Sequence, residues 1–277
     1  MRVCLIALTW ALLWLPSLAT AATLDVPTPY IPSTRMNVDE MLRVGGVIPS
    51  DVVYDLGSGD GRVVIAAAKD YGARGVGIEL DPELVKVSAT NAQVAGVAER
   101  VLFRQGDVLT ADIKEATVIT MYLLTSLVAR LESRLLNELK PGTRIVAHDY
   151  GFEKWKPDHE VKISKTYYLY VVPARVAGQW RIDSPLAQGR EWLLNLEQQY
   201  QQIRGGVTAS DSGGFMPAFE ARLSGERIYF VLVDNDVSHR YEGEVRGDVM
   251  EGVVRSGYGP KLSERPWRAQ RIQSSSR

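Results

Sequence analysis

Val52-Val53-Tyr54-Asp55-Leu56-Gly57-Ser58-Gly59-Asp60-Gly61-Arg62-Val63-Val64 decides the fold of this 277-residue chain. The first five residues are rich in β-branched and aromatic side chains and read as a strand covered on both faces. Gly57, Gly59 and Gly61 follow at a spacing of two, where the backbone can take positive φ and a ligand can approach without meeting a Cβ. Val63-Val64-Ile65-Ala66-Ala67-Ala68 then reads as a helix packing on the sheet. A strand, a glycine turn and a helix N-terminus form a nucleotide site at the carboxyl edge of a parallel sheet.

The loop is G-x-G-x-G, not the G-x-G-x-x-G of a dinucleotide fold, and Asp55 stands two residues ahead of it. A second acid, Glu79, ends the next strand, Gly75-Val76-Gly77-Ile78-Glu79; a carboxylate there accepts both hydroxyls of a ribose. A third, Asp107, closes the strand Val101-Leu102-Phe103, and it or the following backbone at Val108 is placed to meet an adenine amino group. An acid after each of three successive strands, around a glycine loop, resembles class I S-adenosylmethionine-dependent methyltransferases. That resemblance implies an α/β, Rossmann-like fold with a mostly parallel seven-stranded sheet and S-adenosylmethionine as cofactor. It names Asp55, Gly57, Ser58, Gly59, Asp60, Gly61, Glu79, Asp107 and Val108 as cofactor contacts. A tight structural turn alone leaves the two later acids unexplained, and a nicotinamide dehydrogenase fits the loop no better.

Composition narrows the rest. The 32 basic and 33 acidic residues nearly cancel, so no global field draws in nucleic acid. One cysteine and three scattered histidines offer no metal-binding spacing. Met1-Arg2, an apolar run from Val3 to Leu15 and Ala19-Thr20-Ala21 read as a secretory signal peptide cleaved between Ala21 and Ala22. The alternative reading is an uncleaved anchor. Cys4 falls inside this segment, so the mature chain carries no cysteine and needs no disulfide in an oxidising compartment. The expectation is a bacterial protein, periplasmic or secreted, without a membrane span after cleavage.

Three regions are expected: the signal at 1–21, a methyltransferase domain at 22–175 and an antiparallel β-domain at 176–277. Three prolines hold residues 25–34 extended, and a helix follows with Asn37 as its N-cap and Val38, Met41, Leu42 and Val44 as its apolar stripe. From Asp51 strand and helix alternate, with Asp81-Pro82 opening one helix and Thr125 another. Residues 161–172 read as an antiparallel pair closing the sheet. After Val176 the helical period fades into short alternating runs divided by Ser224-Gly225-Glu226 and Arg246-Gly247-Asp248, which are hairpins of a meander. Residues 191–203 suit either a strand or a helix, and their neighbours favour strand.

A narrower resemblance rests on Pro29-Tyr30-Ile31-Pro32-Ser33 ahead of a helix, on the run from Asp55 to Ala68, and on Glu79-Leu80-Asp81-Pro82-Glu83-Leu84-Val85. Together they are similar to the lysine methyltransferases that act on the c-subunit of mitochondrial ATP synthase and their prokaryotic homologues. This implies that the proline-flanked segment, through Tyr30, Ile31, Pro32, Ser33 and Thr34, folds over the cofactor; a plain linker is the other reading. The β-tail and the secretory signal depart from the mitochondrial members and leave the substrate open.

At the end of the fourth strand amino-methylating relatives of other families carry Asn/Asp-Pro-Pro-Tyr. This chain reads Thr120-Met121-Tyr122-Leu123-Leu124, which argues against an adenine or glutamine amide acceptor. Tyr122 lines the methyl pocket or is a core tyrosine. His148-Asp149-Tyr150, at the end of the fifth strand, is the candidate for a base or substrate contact through His148 and Asp149, against a hydrogen-bonded structural histidine. His159 and His239 lie in polar stretches and are expected to be solvated. The expected activity is methyl transfer to a protein lysine amine, without nucleic acid as partner. A small-molecule acceptor, or a secreted cofactor-binding protein without turnover, are the alternatives.

Overall fold

β1 (Val52–Leu56) is buried along its whole length because it is the centre of a covered parallel sheet. The computed structural model describes residues 31–187, 189–209, 213–259 and 262–272. The expected signal peptide at 1–21, its cleavage point and Tyr30 lie outside the described residues. β1 pairs in parallel with β2 (Arg74–Glu79) on one side and β4 (Val118–Met121) on the other. β3 (Val101–Gln105) adds to β2, and β5 (Arg144–His148) to β4. β6 (His159–Lys162) and β7 (Thr166–Val171) complete the sheet, with β7 antiparallel to both β5 and β6. The order is β3-β2-β1-β4-β5-β7-β6, so the strand order reverses between β1 and β4. Ligands of open α/β sheets bind at that switch point, outside the carboxyl ends.

Helices cover both faces. On one, α1 (Arg35–Val44) and α2 (Arg62–Tyr71) set Val38, Met41, Leu42, Val63 and Ala67 against Val53, Val118 and Val146. On the other, α4 (Thr125–Glu138) sets Val128, Leu131 and Leu135 against Tyr54, Ile119 and Ile145. α3 (Pro82–Val94) opens as its sequence dictates, with the Asp81 carboxylate accepting from the Glu83 amide at 2.8 Å and proline in the first turn. The N-cap of α1 corrects the sequence reading: it is Thr34, whose Oγ1 accepts from the Asn37 amide. Asn37 is buried instead, and its Oδ1 accepts from the Tyr167 hydroxyl at 3.0 Å.

The remaining strands are β8 (Gly178–Asp183), β9 (Trp192–Gln199), β10 (Gln202–Ala209), β11 (Phe215–Pro217), β12 (Phe219–Ser224), β13 (Arg227–Asp234), β14 (Val237–Arg246), β15 (Val249–Ser256) and β16 (Ser263–Arg271). The ambiguous stretch is therefore a hairpin of two strands. All pairings are antiparallel, and the pairing of β10 with β9 brings the two ends of the sheet together. Eight strands thus close on themselves, with β11 on the edge of β10. Closure removes exposed edges, and a ring of this size is just filled by side chains. Trp180, Trp192, Leu194, Phe230, Tyr241, Met250 and Trp267 are all buried in its core. His239 is a second correction. It is buried, with Nδ1 2.8 Å from Ser256 Oγ, because the alternation of β14 that buries Tyr241 and Val245 buries residue 239 as well. His159 is exposed, as expected.

The barrel touches the α/β layers through Tyr200, at the β9–β10 turn. Its hydroxyl donates to Glu132 on α4 at 2.7 Å, and its ring stacks on Trp155 at 5.8 Å between centroids. Among the described residues no helix is long and apolar enough to cross a membrane.

Candidate active site

Gly57, Gly59 and Gly61 all take positive φ, at 80°, 53° and 81°. The amides of Gly57 and Ser58 donate to the Ile78 carbonyl at 2.9 and 3.0 Å, which folds the loop over the end of β2. Gly61 is the left-handed N-cap of α2, and its amide closes a turn onto the Ser58 carbonyl at 2.9 Å. A Cβ on Gly61 would lie 2.6 Å from the Phe103 ring and 2.8 Å from Ser88, and one on Gly57 would lie 3.0 Å from Leu123. At these two positions the protein's own side chains fill the space that the sequence reading left to a ligand.

Glu79 is the hinge of the arrangement. Its Oε2 accepts from the Gly59 amide at 2.8 Å; its Oε1 accepts from Leu80 at 2.8 Å and Asp81 at 3.0 Å. A carboxylate has about four lone-pair sites. Glu79 therefore has room for one further donor beside the loop, not for the two ribose hydroxyls expected from sequence, unless the Gly59 amide yields. Asp60 takes a bidentate grip from Arg62, at 2.8 and 2.6 Å. Arg62 also reaches the Ser33 carbonyl, so the proline-flanked lead is tied to the glycine loop at that residue. Pro32 is exposed, and the Thr34 hydroxyl serves as the helix cap. Asn91 donates to the Asp60 carbonyl at 2.9 Å.

Asp55 lies beneath the loop, buried, and accepts from Thr120 Oγ1 at 2.7 Å. Burial pushes its carboxyl up to about 7; the Thr120 hydroxyl opposes this, while Glu79 and Asp60 reinforce it. Ser58 is buried with its hydroxyl unpartnered among the described residues. β3 runs to Gln105, two residues further than the sequence suggests. Asp107 thus stands in the turn beyond it, exposed, with Oδ1 taking the Leu109 amide at 2.9 Å. Val108 is buried in the core.

The ends of β4 and β5 supply a different surface. His148 is 1% exposed and lies between two rings, Tyr122 at 4.2 Å and Tyr167 at 5.0 Å between centroids. Neither ring nitrogen has a hydrogen-bond partner among the described residues, so the structural reading of a hydrogen-bonded histidine does not apply. Burial lowers its pKa, partly offset by Asp149, whose Oδ2 is 3.9 Å from Nε2. The imidazole is therefore neutral at pH 7. Asp149 sits at φ 61°, where its carboxylate takes Lys165 Nζ at 2.6 Å and the Thr166 amide at 3.3 Å. Burial raises its pKa, but Lys165, Thr166 and His148 together outweigh this and hold it below the ordinary carboxylate range. Tyr150, 41% exposed, stacks parallel to Tyr122 at 6.3 Å.

Arg62, Asn91, Thr120, Lys165 and Tyr167 were not singled out as site residues by the sequence reading. Thr120 had a usable signal: a hydroxyl in the strand beside β1, in register with Asp55. Tyr167 and Lys165 had none, because they reach the site through the antiparallel pairing that sets Tyr167 opposite His148.

The chain is similar to known methyltransferases. Residues 55–159 match the family described as the ANTKMT methyltransferase domain. A protein-lysine N-methyltransferase of Saccharolobus islandicus is 41% identical over 150 residues, covering 52% of this chain and 93% of the archaeal protein. The lysine N-methyltransferase of the ATP synthase c-subunit in Mus musculus is 36% identical, but the match covers 50% of this chain and 56% of the mouse protein. A crystal structure described as that of an RNA methyltransferase from Salinibacter ruber, in complex with S-adenosyl-L-homocysteine, is 50% identical, with a TM-score of 0.52. That match covers 53% of this chain and 96% of the other. The matches to these three proteins each cover about half of the chain.

Proposed function

The chain belongs to the S-adenosylmethionine-dependent methyltransferase family that includes the lysine methyltransferases of the ATP synthase c-subunit, and from that premise we propose a protein lysine amine as its methyl acceptor. The cofactor fits the residues present. The loop at residues 57–61 and the remaining acceptor site on Glu79 face the switch point, and the acids Asp55, Asp60 and Glu79 suit a ligand that carries a sulfonium and an ammonium. S-adenosylmethionine would supply, when bound, a methyl group on a cationic sulfur that is itself the leaving group, departing as a neutral thioether.

What this chain's residues add is position and dryness. An amine attacks only as the free base, so a lysine must shed a proton in the pocket. The neutral, unpartnered His148 is the group suited to take it. Tyr122 and Tyr150 form apolar, π-faced walls that accept an ammonium and keep water from the methyl group. One observation carries the lysine reading: a lysine ammonium already rests here, that of Lys165 on Asp149 at 2.6 Å. The names of the archaeal and mouse relatives support it as well.

The similarity to the Salinibacter RNA methyltransferase favours a second acceptor class, RNA, although the near-zero net charge of this chain gives no phosphate-seeking field. We further propose that the mature protein begins at Ala22 in the cell envelope, from the signal-like sequence of residues 1–21; N-terminal sequencing of the fractionated protein tests this. One labelling experiment separates the acceptors. Envelope extract is incubated with methyl-labelled cofactor and split into protein, RNA and solvent-extractable fractions. Label on lysine in the protein fraction supports the proposal. Label confined to RNA or to small molecules refutes it, and a protein that binds the cofactor but labels nothing is a binder without turnover.

A further inference from the structure

A cavity of about 430 Å³ lies on the outer face of the barrel, lined by Phe219, Glu220, Val231, Val233, Ser238, Arg240 and Tyr258. The strand register explains why these residues share one face. Phe219 pairs with Val231, which pairs with Arg240, and Val233 pairs with Ser238. The partners of this face point outward, since Phe230, Leu232 and Tyr241 between them fill the core.

Three features there are not needed by the barrel. Ser238 is 8% exposed, yet its Oγ has no hydrogen-bond partner among the described residues. Leaving a buried hydroxyl unpaired is unfavourable unless a ligand completes it. Phe219 and Tyr258 are 49% and 60% exposed, two aromatic walls facing water beside two valines. The chain is also distorted at this point: the register shifts between Phe219 and Arg222, and Glu220 takes φ 50°. Bulges of this kind re-aim side chains at sites, and a non-glycine residue in left-handed geometry is held there by its surroundings.

The charges point to the ligand. Arg240 lies over the Tyr258 ring at 5.2 Å. Among the described residues no ion pair joins it to Glu220 or to another carboxylate, and Glu220 receives only a long hydrogen bond from Tyr229, at 3.4 Å. One cavity thus presents a cation, an anion, an orphan hydroxyl and an apolar lining without neutralising itself. We infer that this cavity is a binding site for a small zwitterion with an apolar body, a free aliphatic or aromatic α-amino acid. Its carboxylate meets Arg240 and Ser238, its ammonium meets Glu220, and its side chain lies between Phe219 and Tyr258. The site is distinct from the ends of the parallel strands where methyl transfer is placed.

Calorimetry of the full chain tests this, with S-adenosylhomocysteine at saturation so that the cofactor site cannot take the amino acid. L-phenylalanine and L-leucine should bind at one site, and the N-acetyl and carboxamide forms of the better one should bind at least about tenfold more weakly, since each loses a charged contact. R240A and E220A should each weaken binding to a similar degree, and S238A less. All three positions face outward, and near-ultraviolet circular dichroism of the buried tryptophans checks that the barrel stays folded. No binding of either amino acid, or equal binding of the charge-blocked forms, overturns the proposal. So does binding that R240A and E220A leave unchanged in a folded barrel.

Discussion

The two halves of the proposed active site are built by opposite means. The cofactor half, at the ends of β1, β2 and β3, is made of backbone: three left-handed glycines, and a carboxylate, Glu79, held by three amides. The acceptor half, at the ends of β4 and β5, is made of side chains: Tyr122, His148 and Tyr167 packed ring to ring, with Asp149 and Lys165 at its edge. Backbone geometry suits a ligand that never varies. Packed rings with one unpaired imidazole suit a step in which a proton must move. If this contrast is right, the two halves fail differently when altered.

The largest effect is expected from Gly61→Val. A β-branched residue at φ 81° is strained, and its Cβ falls within 2.6 Å of the Phe103 ring. Cofactor affinity should drop by about a hundredfold or more by calorimetry. Retained affinity would mean that the loop is not the cradle.

His148→Asn should slow single-turnover methyl transfer at saturating cofactor by about a hundredfold, the scale of a lost proton acceptor. Cofactor affinity should stay within about twofold, which also shows that the variant folds. In the wild type the turnover rate should fall on acidification only below the ordinary histidine pKa, because burial lowers that of His148. An acid limb above that value would point to another base.

Glu79→Ala should weaken the cofactor by about tenfold, since a ribose contact is lost and the Gly59 amide loses its anchor. Asp107→Ala should cost less, about threefold, because Asp107 is exposed and spends its carboxylate on the Leu109 amide. The reverse order would place the ribose at the end of β3.

The smallest effect concerns pH. The Asp55 carboxyl is raised to about 7 by burial, so the ligand-free fold holds its proton below that value. A cationic ligand nearby favours the carboxylate and lowers its pKa, so binding releases a proton. Affinity should therefore rise as pH climbs from about 5 to 7, and level off above. Thr120→Val removes the hydroxyl that holds the pKa down and should move this window upward. A pH-independent affinity would show that Asp55 stays ionised.

The same contrast explains what was legible in the sequence. Left-handed glycines, an acid at a strand end and an Asp-Pro helix start are local chemistry, and Asp55, Glu79 and Asp81 fall where that chemistry puts them. Tertiary choices were not legible. Thr34 and Asn37 can both cap a helix, and only the Tyr167 hydroxyl decides that Asn37 turns inward. Alternation revealed the hairpins of the barrel. It did not reveal the β9–β10 pairing that helps close the ring and stacks Tyr200 on Trp155, nor the burial of His239. Lys165 reaches Asp149 through the turn between β6 and β7, which no local pattern encodes.

The most direct test of the divided site measures two quantities on two variants: cofactor Kd and the single-turnover rate at saturating cofactor, for Glu79→Ala and His148→Asn. We expect a crossed result. Glu79→Ala loses about tenfold in affinity and keeps most of its rate, while His148→Asn keeps its affinity and loses about a hundredfold in rate. Both variants losing affinity and rate together would contradict the division.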